Sequence, residues 1–261
     1  MSREKFLRYA LPALALIFAL FAWEATVRIN DIQPVILPSP SLILATLIKD
    51  WRTLGASLVV TLTLTLEALI AATIGGSLLA LVFAQFKVVE RVFFPFAVIM
   101  QVTPVVSIAP LLLVYLSSGA AVLVCSFLVA FFPILSNTAL GLSSVDHNLL
   151  DLFQLYRAPR YRQLLWLRIP SALPYFLGGL RIGGGLALIG AIVAEIAAGS
   201  AGQGAGLAFR IVESGYRLNI PRMFAALLLI AVAGISIFLA LSALSYFLLH
   251  RWHDSARTRE Q

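Results

Sequence analysis

Very little in this chain is charged or reactive. Only 12% of its 261 residues are Asp, Glu, Lys or Arg, and there are three histidines and one cysteine. A lone thiol forms no intrachain disulfide and no metal cluster. Cys125 lies inside an apolar run, where it reads as packing. His147, His250 and His253 flank apolar runs and make no H-E-x-x-H pair, so no metal site is expected. A G-x-S-x-G elbow and paired intramembrane aspartates are missing too, which removes hydrolases and intramembrane proteases from consideration. No G-x-x-x-x-G-K-S/T loop occurs, so the chain cannot cradle nucleotide phosphates in that way, and no cofactor is expected in it. There is no internal repeat and no low-complexity tract.

What remains is apolar. The hydrophobic share is 61% and the mean hydropathy is +0.96. Those values, with several apolar runs of about 20 residues, place the chain among all-α polytopic membrane proteins. Six spans are predicted at about 9–27, 57–84, 92–116, 119–140, 171–198 and 223–249, all within one membrane domain covering 1–261. The basic start followed by an apolar run resembles a signal peptide, but Ala13 and Ala15, the small-x-small pair, fall inside the run. An uncleaved first span is the expectation.

The net charge of +7 does not point to nucleic acid, because the basic residues lie between apolar runs rather than along one soluble face. They read as topology signals. With the N-terminus inside, the inner segments hold Arg3, Lys5, Arg8, Lys87, Arg91, Arg157, Arg160, Arg162, Arg168, Arg251, Arg257 and Arg259. The outer ones hold only Arg28, Lys49, Arg52, Arg210, Arg217 and Arg222. By the positive-inside rule both termini are then cytoplasmic.

Several stretches carry finer signals. Ser39 before Pro40 predicts a capped interfacial helix on the outer side. The glycine-rich segment after the fifth span leads into Leu207, Ile211 and Val212 at helical spacing, which predicts a helix across the outer mouth. In the third span, Pro104 and Pro110 accompany Gln101, Thr103 and Ser107. Two outcomes are open: a helix broken over a cavity that these polar groups line, or a kinked helix with its hydroxyls bonded back to it. The six glycines of the fifth span, at 178, 179, 183, 184, 185 and 190, predict close helix packing. Glu67 and Arg181 both fall near mid-depth, which suggests either an ion pair between spans two and five or a pathway lining. Glu195, near the outer interface, reads as a gate or as a hydrated acid.

The polar groups concentrate at 149–170, "LLDLFQLYRAPRYRQLLWLRIP". In helical form Leu149, Leu152, Phe153 and Tyr156 make an apolar stripe, and Asp151, Gln154 and Arg157 follow a polar track beside it. Nine residues make only about 14 Å of helix, too short to span. By spacing alone, this is a surface helix anchored by aromatics and arginines, or a docking helix for another protein.

The order "DLFQLYRAPRYRQLLWLRIPSALPYFLGGLRI" resembles the cytoplasmic loop of permease subunits of binding-protein-dependent ATP-binding-cassette importers. That loop reads Glu-Ala-Ala, three residues, Gly, nine residues, Ile, one residue, Leu-Pro. Here Asp151 takes the acidic place, Leu152 and Phe153 the alanines, Arg157 the glycine, Leu167 the isoleucine, and Ile169 with Pro170 the Leu-Pro pair. The resemblance runs from about 57 to 250 through "TLEALIAATIGG", "TPVVSIAPLLLVYLSSG", "FFPILSNTALGLSSVD" and "GAIVAEIAAGSAGQGAGL", blocks similar to the branch importing nitrate, sulfonates, taurine and vitamin-related heterocycles.

The resemblance implies a six-span permease of the type I importer kind in a bacterial inner membrane, with its core module at about 57–250. It implies a coupling helix at 149–162 where Asp151, Phe153, Gln154, Tyr156, Arg157, Ala158, Pro159 and Arg160 dock an ATPase. The partners implied are a second permease, identical or not, two cytosolic ATPases that bind the ATP and Mg, and an extracytoplasmic substrate-binding protein. The competing reading is a stand-alone secondary transporter or channel, which also uses broken helices and intramembrane charges.

Overall fold

Apolar stretches become helices wherever the sequence has no proline or polar run to interrupt them. The computed structural model describes residues 3–199 and 204–250. Ser200–Gln203, the tail bearing Arg251, His253, Arg257 and Arg259, and the side chains of Arg3, Lys5 and Arg8 lie outside the described residues. Among the described residues eleven α-helices occur and no strand. The long ones are α1 (Arg3–Ile29), α3 (Trp51–Gln85), α6 (Ser118–Ser143), α9 (Ile169–Ala198) and α11 (Ile220–Leu249). The short ones are α2 (Pro40–Lys49), α4 (Lys87–Val102), α5 (Val105–Tyr115), α7 (His147–Leu155), α8 (Arg160–Gln163) and α10 (Leu207–Tyr216). Five helices are long and apolar enough to cross a membrane, or six when the bent pair α4 with α5 is counted as one span.

The third span is broken rather than kinked. Its halves meet at 97°. Pro104 is extended at φ −66° and ψ 119° and opens α5, and Thr103 donates from Oγ1 to the Ile99 carbonyl at 2.6 Å. Pro110, by contrast, stays inside α5. The fifth span also departs from expectation. It does not begin after Pro170 but runs from Arg160 through α8, a π turn at Leu164–Arg168 and α9 to Ala198. The widened turn directly precedes Pro170, which has no N–H to return to the preceding turn. The result is one rod of 39 residues, about 58 Å long.

The core is built where α3, α6 and α9 meet. Leu69 and Ala72 pack with Ala130 and Ile134 of α6 and Leu177, Leu180 and Ala187 of α9. Glycines set the α6–α9 spacing. A Cβ at Gly179 would lie 2.8 Å from the Pro133 carbonyl oxygen, and one at Gly190 would lie 2.9 Å from the Ser126 Cα. Gly183 and Gly184 are likewise crowded, whereas Gly178 and Gly185 face open space. Close packing therefore accounts for four of the six glycines.

At one end of the bundle, here the α10 end, Ile43, Leu54, Leu207 and Ala225 form a separate buried cluster. At the opposite, α7 end, Phe83, Leu135, Leu142 and Ala172 form another. The predicted interfacial helices are both present as α2 and α10. Ser39 Oγ accepts from the Leu42 N–H, as the sequence indicated.

Candidate functional site

The predicted functional residues fall into three separate places. The first is the α7–α8 segment. Asp146 caps α7 by accepting from the Asn148 N–H at 2.8 Å. The helix is almost bare: only Leu150 and Phe153 are half-buried, while Asp151, Gln154 and Tyr156 are exposed, as are Leu149 and Leu152. The predicted apolar stripe is thus split. Phe153 turns towards the bundle, and Tyr156, 80% exposed, does not.

The end of α7 explains Arg157. Its φ is +49°, the left-handed conformation that glycine adopts most cheaply. Its N–H bonds to the Gln154 carbonyl at 2.8 Å, and the Ala158 N–H reaches the Phe153 carbonyl at 2.9 Å. This is the Schellman arrangement of a helix C-terminus. The turn of the glycine pattern is therefore formed with arginine in place. Gln163 Nε2 then donates to the Ala158 carbonyl at 3.1 Å, and Pro159, in extended conformation, opens α8. Arg157, Pro159 and Arg160 are exposed, so α7 and the start of the rod present Asp151, Gln154, Tyr156, Arg157 and Arg160 outward together.

The second place is the break between α4 and α5. Gln101, Thr103 and Pro104 line a cavity of about 310 Å³ with Leu128, Pro133 and Leu186. Ser107 is exposed and does not line it. Proline at 104 leaves carbonyls of the preceding turn without helical partners, and this irregular backbone sits beside the cavity.

Glu67 and Arg181 are not joined. The buried positions of α3 follow Ser57, Thr61, Thr65, Ala68 and Ala72, and Glu67 lies off that stripe on an exposed face. Arg181 instead sits with its guanidinium 5.9 Å from the centre of the Phe238 ring on α11, and its Nε is buried without a hydrogen-bond partner. The pair suggested by depth fails on azimuth: equal depth does not put two side chains on facing sides of their helices.

The third place surrounds Glu195, which is buried at 4% exposure rather than hydrated. Its Oε1 accepts from Thr61 Oγ1 at 2.7 Å, and its Oε2 accepts from the Ala208 N–H at 3.0 Å. Thr61 Oγ1 in turn accepts from the Leu207 N–H at 2.9 Å. The first two amides of α10 are thereby satisfied from α9 and α3. A few residues on, Arg210 donates from Nε to Ser57 Oγ at 3.0 Å and pairs with Glu213 at 2.8 Å. Hydrogen bonding from Arg210 holds the Glu213 carboxyl below the usual carboxylate range. Sequence reasoning missed Ser57 and Thr61. Their only signal was hydroxyls spaced by four, 57, 61 and 65, inside an apolar run.

Glu24 repeats the device in half-buried form. It accepts from the Ser41 N–H at 3.0 Å and from Ser41 Oγ at 2.7 Å, capping α2, while Arg28 pairs with it at 2.6 Å. In both cases an acid in the last turns of one long helix caps the short helix that follows.

Comparison with known proteins identifies the family. Residues 72–259 match the family described as binding-protein-dependent transport system inner membrane component. A riboflavin transport system permease protein of Chloroflexus aurantiacus is 32% identical, over 95% of this chain and 93% of its own length. A formylaminopyrimidine transport permease protein of Halalkalibacterium halodurans is also 32% identical, over 91% of this chain and 94% of its own length. In shape, the chain is similar to an amino acid ABC transporter crystallised with histidines. The TM-score is 0.62 at 18% identity, covering 77% of this chain and 96% of that one, which shows a shared fold.

Proposed function

The chain belongs to the inner membrane components of binding-protein-dependent transport systems and is a permease subunit of an ABC importer, and on that premise we propose how it is assembled and what it carries. It has no chemistry of its own. Two permeases, two copies of this chain or this chain with a related one, form the pathway in a bacterial inner membrane, with both termini cytoplasmic. Two cytosolic ATPases bind ATP and Mg and dock on 149–162, and an extracytoplasmic binding protein delivers solute at the α10 end. Family membership sets aside the stand-alone carrier.

The observation that carries this reading is the match over 72–259 together with a bare α7–α8 segment inside it. That segment exposes Leu155 at 82% and Tyr156 at 80%, apolar surface that a partner protein would cover. ATP-driven closure of the ATPases would move this segment and bias the bundle between two states. Gln101 and Thr103 at the break are the pathway groups best placed to meet solute, because they line a cavity. Arg181 and Glu67 are further candidates for the pathway lining.

The solute we favour is a vitamin-related heterocycle. The relatives that are 32% identical are named for riboflavin and formylaminopyrimidine transport, and both align along nearly their full lengths. The test has two arms. Asp151→Lys with Arg157→Glu should cut co-purification of the ATPase at least ten-fold, and unchanged association would refute the docking assignment. Vesicles holding permease, ATPase and binding protein should accumulate riboflavin or formylaminopyrimidine only with ATP; uphill uptake by this chain alone, without nucleotide, would overturn the reading.

A further inference from the structure

The amino-terminal end of α10 has no cap of its own. Gly206 stands at the capping position and has no side chain, so the N–H groups of Leu207 and Ala208 would be unpaired in a buried place. A serine at 206 would satisfy one of them locally and cheaply. The protein instead buries a carboxylate from α9 and a hydroxyl from α3 to do so, at a desolvation cost that a local cap avoids. A Cβ at Gly206 would collide with the Glu195 carboxyl, so the glycine and the acid occupy one space between them.

A costly long-range cap in place of a cheap local one ties elements together. We infer that Glu195 is a positioning residue that, with Thr61 and Gly206, locks α10 to the far end of the rod Arg160–Ala198, so that rod and α10 move as one body. The rod begins next to the exposed α7–α8 turn and ends three residues beyond Glu195. Displacement at one end therefore reaches α10 through continuous helix, directly by the Glu195–Ala208 hydrogen bond and through α3 by the Glu195–Thr61 and Thr61–Leu207 bonds. This inference rests on the importer reading for what drives the displacement, while the lock itself does not.

The full chain in lipid nanodiscs tests it, alone and with its ATPase. Cys125 is fully buried, so labels introduced at Tyr216→Cys, 87% exposed, and Trp166→Cys, 76% exposed, report the α10-to-rod distance cleanly. Native chain should give one narrow distance, unchanged by ATP with vanadate. Thr61→Val, which keeps shape and loses the hydroxyl, should broaden it, and should speed amide exchange at 207–210 by about ten-fold, the loss expected for a net hydrogen bond. Glu195→Gln and Gly206→Ala should do the same, and Thr61→Ser should behave as native. A native-like distance and exchange in both Thr61→Val and Glu195→Gln would overturn the lock. Thr61→Ser as defective as Thr61→Val would overturn it too, since bulk rather than the hydroxyl would then be at issue. Failure of the native chain to bind an ATPase strikes the importer reading instead, and the nucleotide-free arm still decides the lock.

Discussion

The α10 end and the α7 end of the bundle handle polar groups in opposite ways. At the α10 end two inward-facing charges are answered within the chain: Glu195 by Thr61 and Ala208, and Arg210 by Ser57 and Glu213. At the α7 end Asp151, Arg157 and Arg160 stand exposed beside uncovered Leu155 and Tyr156. Buried polar groups must be satisfied where they lie, but a surface left for a partner need not be. The α10 end also leaves Tyr216 and Leu218 uncovered, so the difference between the ends lies in how their charges are paired and not in exposed apolar surface.

The sharpest way to break this contrast is at the α10 end. Glu195→Ala leaves the Ala208 N–H and the Thr61 hydroxyl short of an acceptor, and should destabilise the chain by about 1–3 kcal/mol for each group left unsatisfied. A lowered thermal midpoint in detergent, with α10 exchanging first, checks this. Next in size, Gly179→Ala and Gly190→Ala should cost about 1–3 kcal/mol by forcing α6 from α9, whereas Gly178→Ala and Gly185→Ala, facing open space, should be near neutral. Parallel melts of the four variants decide it.

At the α7 end the expected effect on stability is of opposite sign. Arg157→Gly relieves a left-handed residue and should stabilise the turn by about 1 kcal/mol, yet weaken ATPase association if the guanidinium is part of the docking surface. Melting and pull-down on the same sample separate these. The smallest effect concerns pH. The folded Glu213 carboxyl titrates below its unfolded value, so its contribution is complete above the ordinary carboxylate range and is lost only as pH falls through the lowered value. Native chain and Glu213→Gln should therefore melt apart at neutral pH and converge in acid.

Much of the fold was legible because a bilayer enforces it. Span positions, the Ser39–Pro40 start of α2 and the helix at Leu207 followed from hydropathy, capping and spacing. The α7 helix was legible too. Its orientation was not: a stripe of Leu149, Leu152, Phe153 and Tyr156 predicts a buried base, but only Phe153 of these is covered, because amphipathicity says which face is apolar and not whether anything lies against it. Arg157 was opaque for a related reason. Backbone hydrogen bonds in the turn outweigh the cost of a Cβ at positive φ, and Asp31 and Leu218 end their helices in the same way.

The sequence by itself determined that this chain lives in lipid and roughly where it crosses, and that it carries no G-x-x-x-x-G-K-S/T motif, since those properties depend on local composition and spacing. Only the tertiary structure decided which polar residues meet. Glu67 and Arg181 share a depth and stay apart, whereas Glu195, Thr61 and Ala208 lie 134 and 13 residues from one another along the chain and share hydrogen bonds. Depth is a one-dimensional quantity that a sequence encodes directly. The rotation of each helix about its axis is fixed by packing against all the others at once.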